Sequence, residues 1–261
     1  PVCVHRTRFR RALNQRFYRE RANEFGATRQ HEWPGWRRTL GLLNQPQNEV
    51  PIRILDIGCG NGRFADFLLK SHSIGNIEYT GVDQSPELLA MAQKKCAASE
   101  GSSLSWLECD ATSSDLKNHL PANRYDLVVA FGLLHHIPSL EHRKKMMKPL
   151  ANSLCAHGVL AFTIWRFEKS ERFTEKIISW QDYNQDSVEK IDLNELEHGD
   201  YLMSFGDTSR VARYCHAGGD SEAKALTESL GLERIDQFSA DGKTNDLNDY
   251  HVFVKSGVSP K

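Results

Sequence analysis

The chain has 261 residues, 39% hydrophobic and 26% charged, with a net charge of -1; this fits one globular domain with elaborations and enough apolar side chains for a sizeable core. A mean hydropathy of -0.53, the lack of any apolar run near the roughly 18 residues that span a bilayer, and an opening segment without a secretory pattern argue against a membrane or exported protein. Six scattered cysteines with no C-x-x-C pair give neither a zinc knuckle nor a disulfide framework, so a reducing, cytoplasmic setting is expected and no metal site is.

In chain order, Phe9, Leu13, Phe17 and Phe25 recur at helical spacing among arginines, predicting an amphipathic N-terminal helix that ends in the turn Trp33-Pro34-Gly35-Trp36. Residues 1–40 carry ten Arg against three Glu, a net of +7. A polyanion would meet this patch rather than the whole molecule, although a solvated helix face is the plainer reading. A polar linker, Asn44 to Pro51, separates this helical cap (residues 1–50) from the rest (51–261).

Strands are then expected at Ile52–Ile57, Ile77–Val82, Leu104–Cys109, Asp126–Phe131 and Gly158–Trp165, with helices at Gly62–Lys70, Pro86–Ala98 and Leu140–Cys155 between them. Alternation of this kind implies parallel strands joined by right-handed crossovers. Ser85-Pro86-Glu87 marks one helix start, with a capping serine, a proline in the first turn and an acid near the positive helix end. Beyond Trp165, Phe173–Trp180 looks helical. The segment 182–200, with seven acids against one Lys, looks like an acidic loop or insert, and Tyr201–Phe205 like a short strand. A helix over Asp220–Ser229 and strands over Leu232–Phe238 and Tyr250–Lys255 close the pattern. The expected fold class is α/β, a Rossmann-like doubly wound, mostly parallel seven-stranded sheet with helices on both faces and an N-terminal helical cap.

Between the first strand and its helix lies Asp56-Ile57-Gly58-Cys59-Gly60-Asn61-Gly62. Glycines there let the backbone turn tightly and approach a ligand without Cβ collision, and the helix start offers free N–H groups. A dinucleotide fingerprint would need glycine where Arg63 stands. The spacing instead resembles the first motif of class I S-adenosylmethionine-dependent methyltransferases. Asp83 and Asp110 end the second and third strands, and three acids at three consecutive strand ends converge on one crevice. That resemblance implies S-adenosyl-L-methionine as cofactor. Asp83, with Gln84 beside it, would take the ribose hydroxyls, Asp110 and Ala111 the adenine, Asp56 the methionyl amino group, and the backbone of Ala130 and Phe131 the same moiety. Gly58, Gly60 and Gly62 would cradle the ligand, and Arg29 would pair with its carboxylate.

Phe17-Tyr18, Phe25-Gly26-Ala27-Thr28-Arg29-Gln30, Trp33-Pro34, Leu134-His135-His136, Gly199-Asp200-Tyr201-Leu202 and Arg213-Tyr214-Cys215-His216 are similar to segments of the tRNA wobble-uridine carboxymethyl methyltransferases. That family has tyrosine where Cys215 stands and an aromatic Pro-Trp pair where Ser204-Phe205 stands. The resemblance implies methyl esterification of 5-carboxymethyluridine at the wobble position, tRNA as a partner through the basic residues 1–40, and a small activating partner protein. A carboxylate acceptor, with a pKa about 4, is already ionised and needs no general base, whereas an amine or phenol would want one. His135, Arg166, Arg213, Tyr214 and His216 are the candidates for handling the acceptor; Arg213 and His216 are expected on one strand face, with Tyr214 on the other. A small-molecule O- or N-methyltransferase, with the acidic insert as a lid, and a noncatalytic cofactor-binding scaffold subunit remain alternatives.

Overall fold

The computed structural model describes residues 2–28, 31–43, 50–71, 74–98, 100–205 and 208–257, with the side chains of 2–6 and 208–211 outside that description. Strand β1 (Ile52–Ile57) buries Ile54, Leu55 and Ile57 completely, the continuous apolar run of a strand covered on both faces. Beside it lie β2 (Ile77–Asp83), β3 (Ser103–Glu108), β4 (Tyr125–Ala130) and β5 (Leu154–Trp165), all parallel. The chain returns through β9 (Leu232–Ala240) and β10 (Asn248–Lys255), and β10 runs antiparallel to both of its neighbours. The sheet order is β3-β2-β1-β4-β5-β10-β9. Chain direction across the sheet reverses between β1 and β4, so the connections leave these two strands on opposite sides and open a crevice beyond their carboxyl ends.

Helices cover both faces. On one side α2 (Pro34–Leu40) and α3 (Arg63–Lys70) set Trp36, Leu40 and Phe64 against Ile54, Tyr79 and Tyr250. On the other, α6 (Leu140–Ser153) and α9 (Asp220–Thr227) set Met147, Leu150 and Leu226 against Leu55, Val128 and Leu160. Helix α4 (Pro86–Lys95) starts as its sequence requires, with the Ser85 hydroxyl accepting the Leu88 N–H at 3.2 Å. A one-turn helix, α5 (Leu116–His119), precedes β4; four residues are too short to show a period. Because Trp36 and Leu40 belong to the main core, α2 packs as part of the sheet's cover. The linker residues 44–49 lie outside the described residues.

The amphipathic helix forms as α1 (Val2–Ala27), kinked at Arg21 (φ -125°, ψ 15°). It packs on a second, antiparallel sheet of order β6-β7-β8, from Ile177–Ile178, Asp200–Phe205 and Thr208–His216. Leu13 meets Trp180, Leu202 and Tyr214 there. Two expectations need correction. The single helix read over Phe173–Trp180 is broken into α7 (Glu171–Thr174), β6 and α8 (Trp180–Asp186), because the β-branched pair Ile177 and Ile178 pairs with Met203 and Leu202. The acidic segment is no single loop: it begins in α8, and Glu197 and Asp200 turn inward at its far end to ion-pair. Among the described residues, no helix is long and apolar enough to cross a membrane.

Candidate functional site

The bend between β1 and α3 carries three left-handed residues, Gly58 at φ +77°, Gly60 at +55° and Gly62 at +74°, a backbone that costs any residue with a Cβ roughly 1–2 kcal/mol. Their roles differ. A Cβ on Gly60 would meet nothing within 4 Å, so this stretch of backbone lies open to a cavity of about 600 Å³, within the usual range for small-molecule sites. Gly58 borders the same cavity, against Leu133. At Gly62 a Cβ would fall 2.8 Å from that of Ala92. That glycine seats the bend on α4 and does not line the cavity.

Asp83 organises the bend. One carboxylate oxygen accepts the Gly60 N–H and the other the Ser85 N–H, each at 2.9 Å. Burial raises this carboxyl above its ordinary value, and backbone donors at Ser85, Gly60 and Gln84 work against the shift. Gln84 lies beside it on the cavity wall. Asp110 accepts the backbone N–H and the hydroxyl of Thr112 at 2.8 and 2.7 Å, and ion-pairs with Arg11 from α1. Burial pushes the Asp110 carboxyl up, but these donors outweigh it and leave the group below its usual range. Ala111 and Thr112 continue the wall.

Asp56 is the deepest of the three acids, 3% exposed and held by the Tyr79 hydroxyl at 2.6 Å. Burial lifts its carboxyl to about 7, against the Tyr79 bond that lowers it and with Asp83 adding repulsion. A ligand ammonium needs this group ionised. Below about pH 7 the proton must leave first, so affinity for an aminoacyl ligand is expected to rise with pH through that range and level off above it. Calorimetry of S-adenosylhomocysteine binding between pH 5.5 and 8.5 checks this, and Asp56→Asn should bind more weakly with a flattened profile.

Phe131 lines the cavity, while Ala130 is fully buried beneath it. Trp33 lies over Gly132, whose Cβ position is 3.1 Å from its ring, and Trp36 is packed against Phe64 and Phe67. The Arg63 guanidinium stacks on both tryptophans at 4.6 and 5.1 Å and donates to the His31 carbonyl at 3.2 Å. Arg29 lies outside the described residues.

The acceptor candidates fare differently. His135 lines the cavity and packs on Trp165, with ring centroids 4.8 Å apart. His136 also lines it, its Nε2 bonded to the Tyr18 hydroxyl at 2.7 Å. Arg166, Arg213, Tyr214 and His216 are not brought there. Arg166 is held between Glu168 and Asp249 at 2.7 and 2.6 Å. Arg213 is 4% exposed, with its guanidinium over the rings of Phe17, Trp165 and Phe205. The expected sharing of one face by Arg213 and His216 is wrong, because strand side chains alternate with a period of two and these residues are three apart. Tyr214 and His216 share the face, and both bond Asp200, at 2.6 and 2.8 Å.

Asp200 also pairs with buried Arg10, while Arg143 pairs with Glu197 and Glu222 at 2.9 Å. Glu197, Asp200 and His216 bring ligand-type atoms within 4.8 Å of one another, but the two guanidiniums already neutralise the acids. This cluster joins α1, α6, α9 and the small sheet.

Of the cavity residues, Arg11 and Asn14 carried no legible signal in the sequence. Arg11, Asn14 and Tyr18 reach the cavity because α1 crosses the carboxyl edge of the sheet, a long-range contact that periodicity does not encode. Thr112 was readable: an aspartate just past a strand, followed two residues later by a threonine whose N–H it accepts, forms an Asx turn.

The methyltransferase-domain family matches residues 55–160. A human protein named "Probable tRNA methyltransferase 9B" is 24% identical over 62% of this chain and 32% of its own. The mouse tRNA (carboxymethyluridine(34)-5-O)-methyltransferase ALKBH8 is 25% identical over 70% and 26%, and the trans-aconitate 2-methyltransferase of Streptomyces avermitilis is 32% identical over 44% and 39%. The chain thus spans well under half the length of these curated relatives. Among solved structures, an S-adenosylmethionine-dependent methyltransferase of Methanosarcina mazei aligns over 86% of this chain and 98% of its own, with a TM-score of 0.60 and 15% identity, which shows the shared fold. Sheet order, bend geometry and family match agree: the chain carries a methyltransferase domain over residues 55–160, on a fold shared with S-adenosylmethionine-dependent methyltransferases, and it resembles the tRNA methyltransferases among its relatives.

Proposed function

We propose that the protein methylates the carboxylate of 5-carboxymethyluridine at the tRNA wobble position, with S-adenosylmethionine as donor. The observation that carries the reading is the open backbone at Gly60, fixed by Asp83, at one side of a cavity that continues to an aromatic wall of Trp165 and Phe173. The cofactor supplies an electrophilic methyl group on a sulfonium. Asp83 would accept the ribose hydroxyls, Asp110 and Thr112 would meet the adenine edge, and Asp56 would meet the amino group. One acceptor oxygen would displace the sulfur at that methyl carbon, the carbon–sulfur electron pair leaving with sulfur. No proton moves, so no base is needed. Placement and water exclusion remain as the protein's contribution, and Trp33, Trp165 and Phe173 on the wall suit that role. The tethering of His136 by Tyr18 and the packing of His135 on Trp165 accord with histidines that shape the wall.

Support for the substrate comes from relatives named for acting on carboxymethyluridine and trans-aconitate, both carboxylates. The second of these favours a competing reading, a small-molecule carboxylate methyltransferase on the same core. The basic head bears on the choice. Arg10, Arg11, Arg21, Arg37 and Arg38 are tied into ion pairs, which leaves Arg8, Arg16 and Arg19 exposed on α1 without a carboxylate partner among the described residues. Three phosphate contacts predict that log affinity for tRNA falls against log salt with a slope of about -2 to -3. A slope near zero, or no gain of methyl ester when the protein is incubated with S-adenosylmethionine and carboxymethyluridine-bearing tRNA, removes the tRNA reading.

A further inference from the structure

Among the described residues, four lysine or arginine side chains line the cavity. Two are committed, Arg11 to Asp110 and Arg63 to the faces of Trp33 and Trp36. Arg172 and Lys243 are different: both are exposed, and among the described residues neither has a carboxylate partner. The Arg172 guanidinium lies over the ring of Phe173, at 5.2 Å. This stands out because Arg166, a few residues away, is held by two carboxylates.

The two cations come from separate parts of the chain, Arg172 from α7, which follows β5, and Lys243 from the turn between β9 and β10. Topology brings them together. Asn248 pairs with Trp165, so the β9–β10 turn sits beside the carboxyl end of β5, the end where α7 begins. Asp241 of the same turn points inward, accepting from Gly35, Asn248 and Tyr250 at 3.1, 2.8 and 2.7 Å, which leaves Lys243 unneutralised by it. Trp165 and Phe173, edge to face at 5.0 Å, bridge from His135 toward Arg172.

The cavity is electrically uneven: Asp56, Asp83 and Asp110 line it at the bend, where Arg11 is taken up by Asp110, Glu32 is paired with Arg37, and beside the end of β5 lie two cations with no carboxylate partner among the described residues. Its acidic part suits an amino group and hydroxyls, and its rim suits an oxyanion. We infer that Arg172 and Lys243 form a cationic clamp for an anionic group of the acceptor, a proposal that rests on the methyl-transfer reading above. Two exposed cations can hold an oxyanion from its outer side while an inner oxygen stays free. The same chemistry fits two sources on one RNA, the carboxylate of the modified base and the phosphate next to it.

The test uses the full chain with S-adenosylhomocysteine bound. The probes are two anticodon stem-loop RNAs, one with 5-carboxymethyluridine and one with its neutral carbamoylmethyl analogue, and binding is read by anisotropy in wild type, Arg172→Lys and the double variant Arg172→Glu/Lys243→Glu. The double variant should bind the carboxylate RNA at least about tenfold more weakly, the scale of a lost charged hydrogen bond, with unchanged Tm and S-adenosylhomocysteine affinity, while Arg172→Lys keeps most of the binding. A loss confined to the carboxylate RNA assigns the clamp to the base, and an equal loss on both RNAs assigns it to phosphate. Unchanged affinity in the double variant, or no wild-type binding to either RNA, overturns the clamp. Failure of the enzymatic reading has a separate signature: wild type binds and the double variant does not, yet no methyl group is transferred to the carboxylate RNA.

Discussion

Asp83→Ala is expected to weaken S-adenosylhomocysteine binding by at least about a hundredfold, as the loss of two hydrogen bonds to a charged acceptor implies. The carboxylate has two tasks. It accepts the N–H groups of Gly60 and Ser85, holding the bend at the carboxyl end of β1 against the start of α4, and its remaining lone pairs face the cavity where ribose hydroxyls would bind. Asp83→Asn separates the tasks: its amide oxygen can still accept from one backbone donor, but its NH2 group faces the other donor. Affinity should fall to a level between wild type and the alanine variant. Calorimetry measures both. Wild-type affinity in Asp83→Ala would mean that the ribose is held elsewhere.

The largest effect on stability is expected at Asp200. Its buried carboxylate pairs with Arg10 and accepts from the Tyr214 hydroxyl, His216 and the Glu197 N–H. Asp200→Ala removes the carboxylate from beside a guanidinium that is 1% exposed, and such one-sided losses cost about 3–5 kcal/mol, a fall in Tm of roughly 10 °C for a chain of this size. Arg10→Met combined with Asp200→Ala should recover part of the loss, because the buried cation is removed together with its carboxylate. Linkage gives the cluster a pH window. Burial raises Asp200 and Glu222, but their hydrogen bonds, chiefly with His216, leave both below their ordinary 3.8 and 4.5, so their contribution is present above those values and lost as pH falls. Burial lowers His216, but its bonds to Asp200 and Glu222 leave it above 6.5, so its contribution is complete below 6.5 and lost as pH rises past the raised value. Urea unfolding across pH 4 to 8 should place the cluster's greatest contribution between about 4.5 and 6.5.

The sheet and the cofactor crevice were legible because local signals dictate them. Ile52–Ile57 reads as a strand buried on both faces, the glycine bend follows it, Asp83 ends the next strand and Asp110 lies two residues past the one after. The three acids do converge on one cavity. The small sheet was less legible. A two-residue strand such as Ile177–Ile178 has no period to detect, and only pairing with Leu202 and Met203 makes it a strand. The acceptor side failed for the same reason. Tyr214 and His216 are polar residues on a strand, but whether they serve a ligand or a buried ion cluster depends on where Arg10 and Arg143 arrive, from residues far away in the chain. Arg172 and Lys243 carry no motif and are singled out only by what surrounds them in space.

The account depends on the bend at Gly58–Gly62 and the acids around it receiving the donor. A crystal structure with S-adenosylhomocysteine tests this most directly. The account predicts ribose hydroxyls on the Asp83 carboxylate, the adenine edge at Asp110 and Thr112, and the amino group toward Asp56. A ligand bound elsewhere, or a ribose with no contact to Asp83, would contradict it.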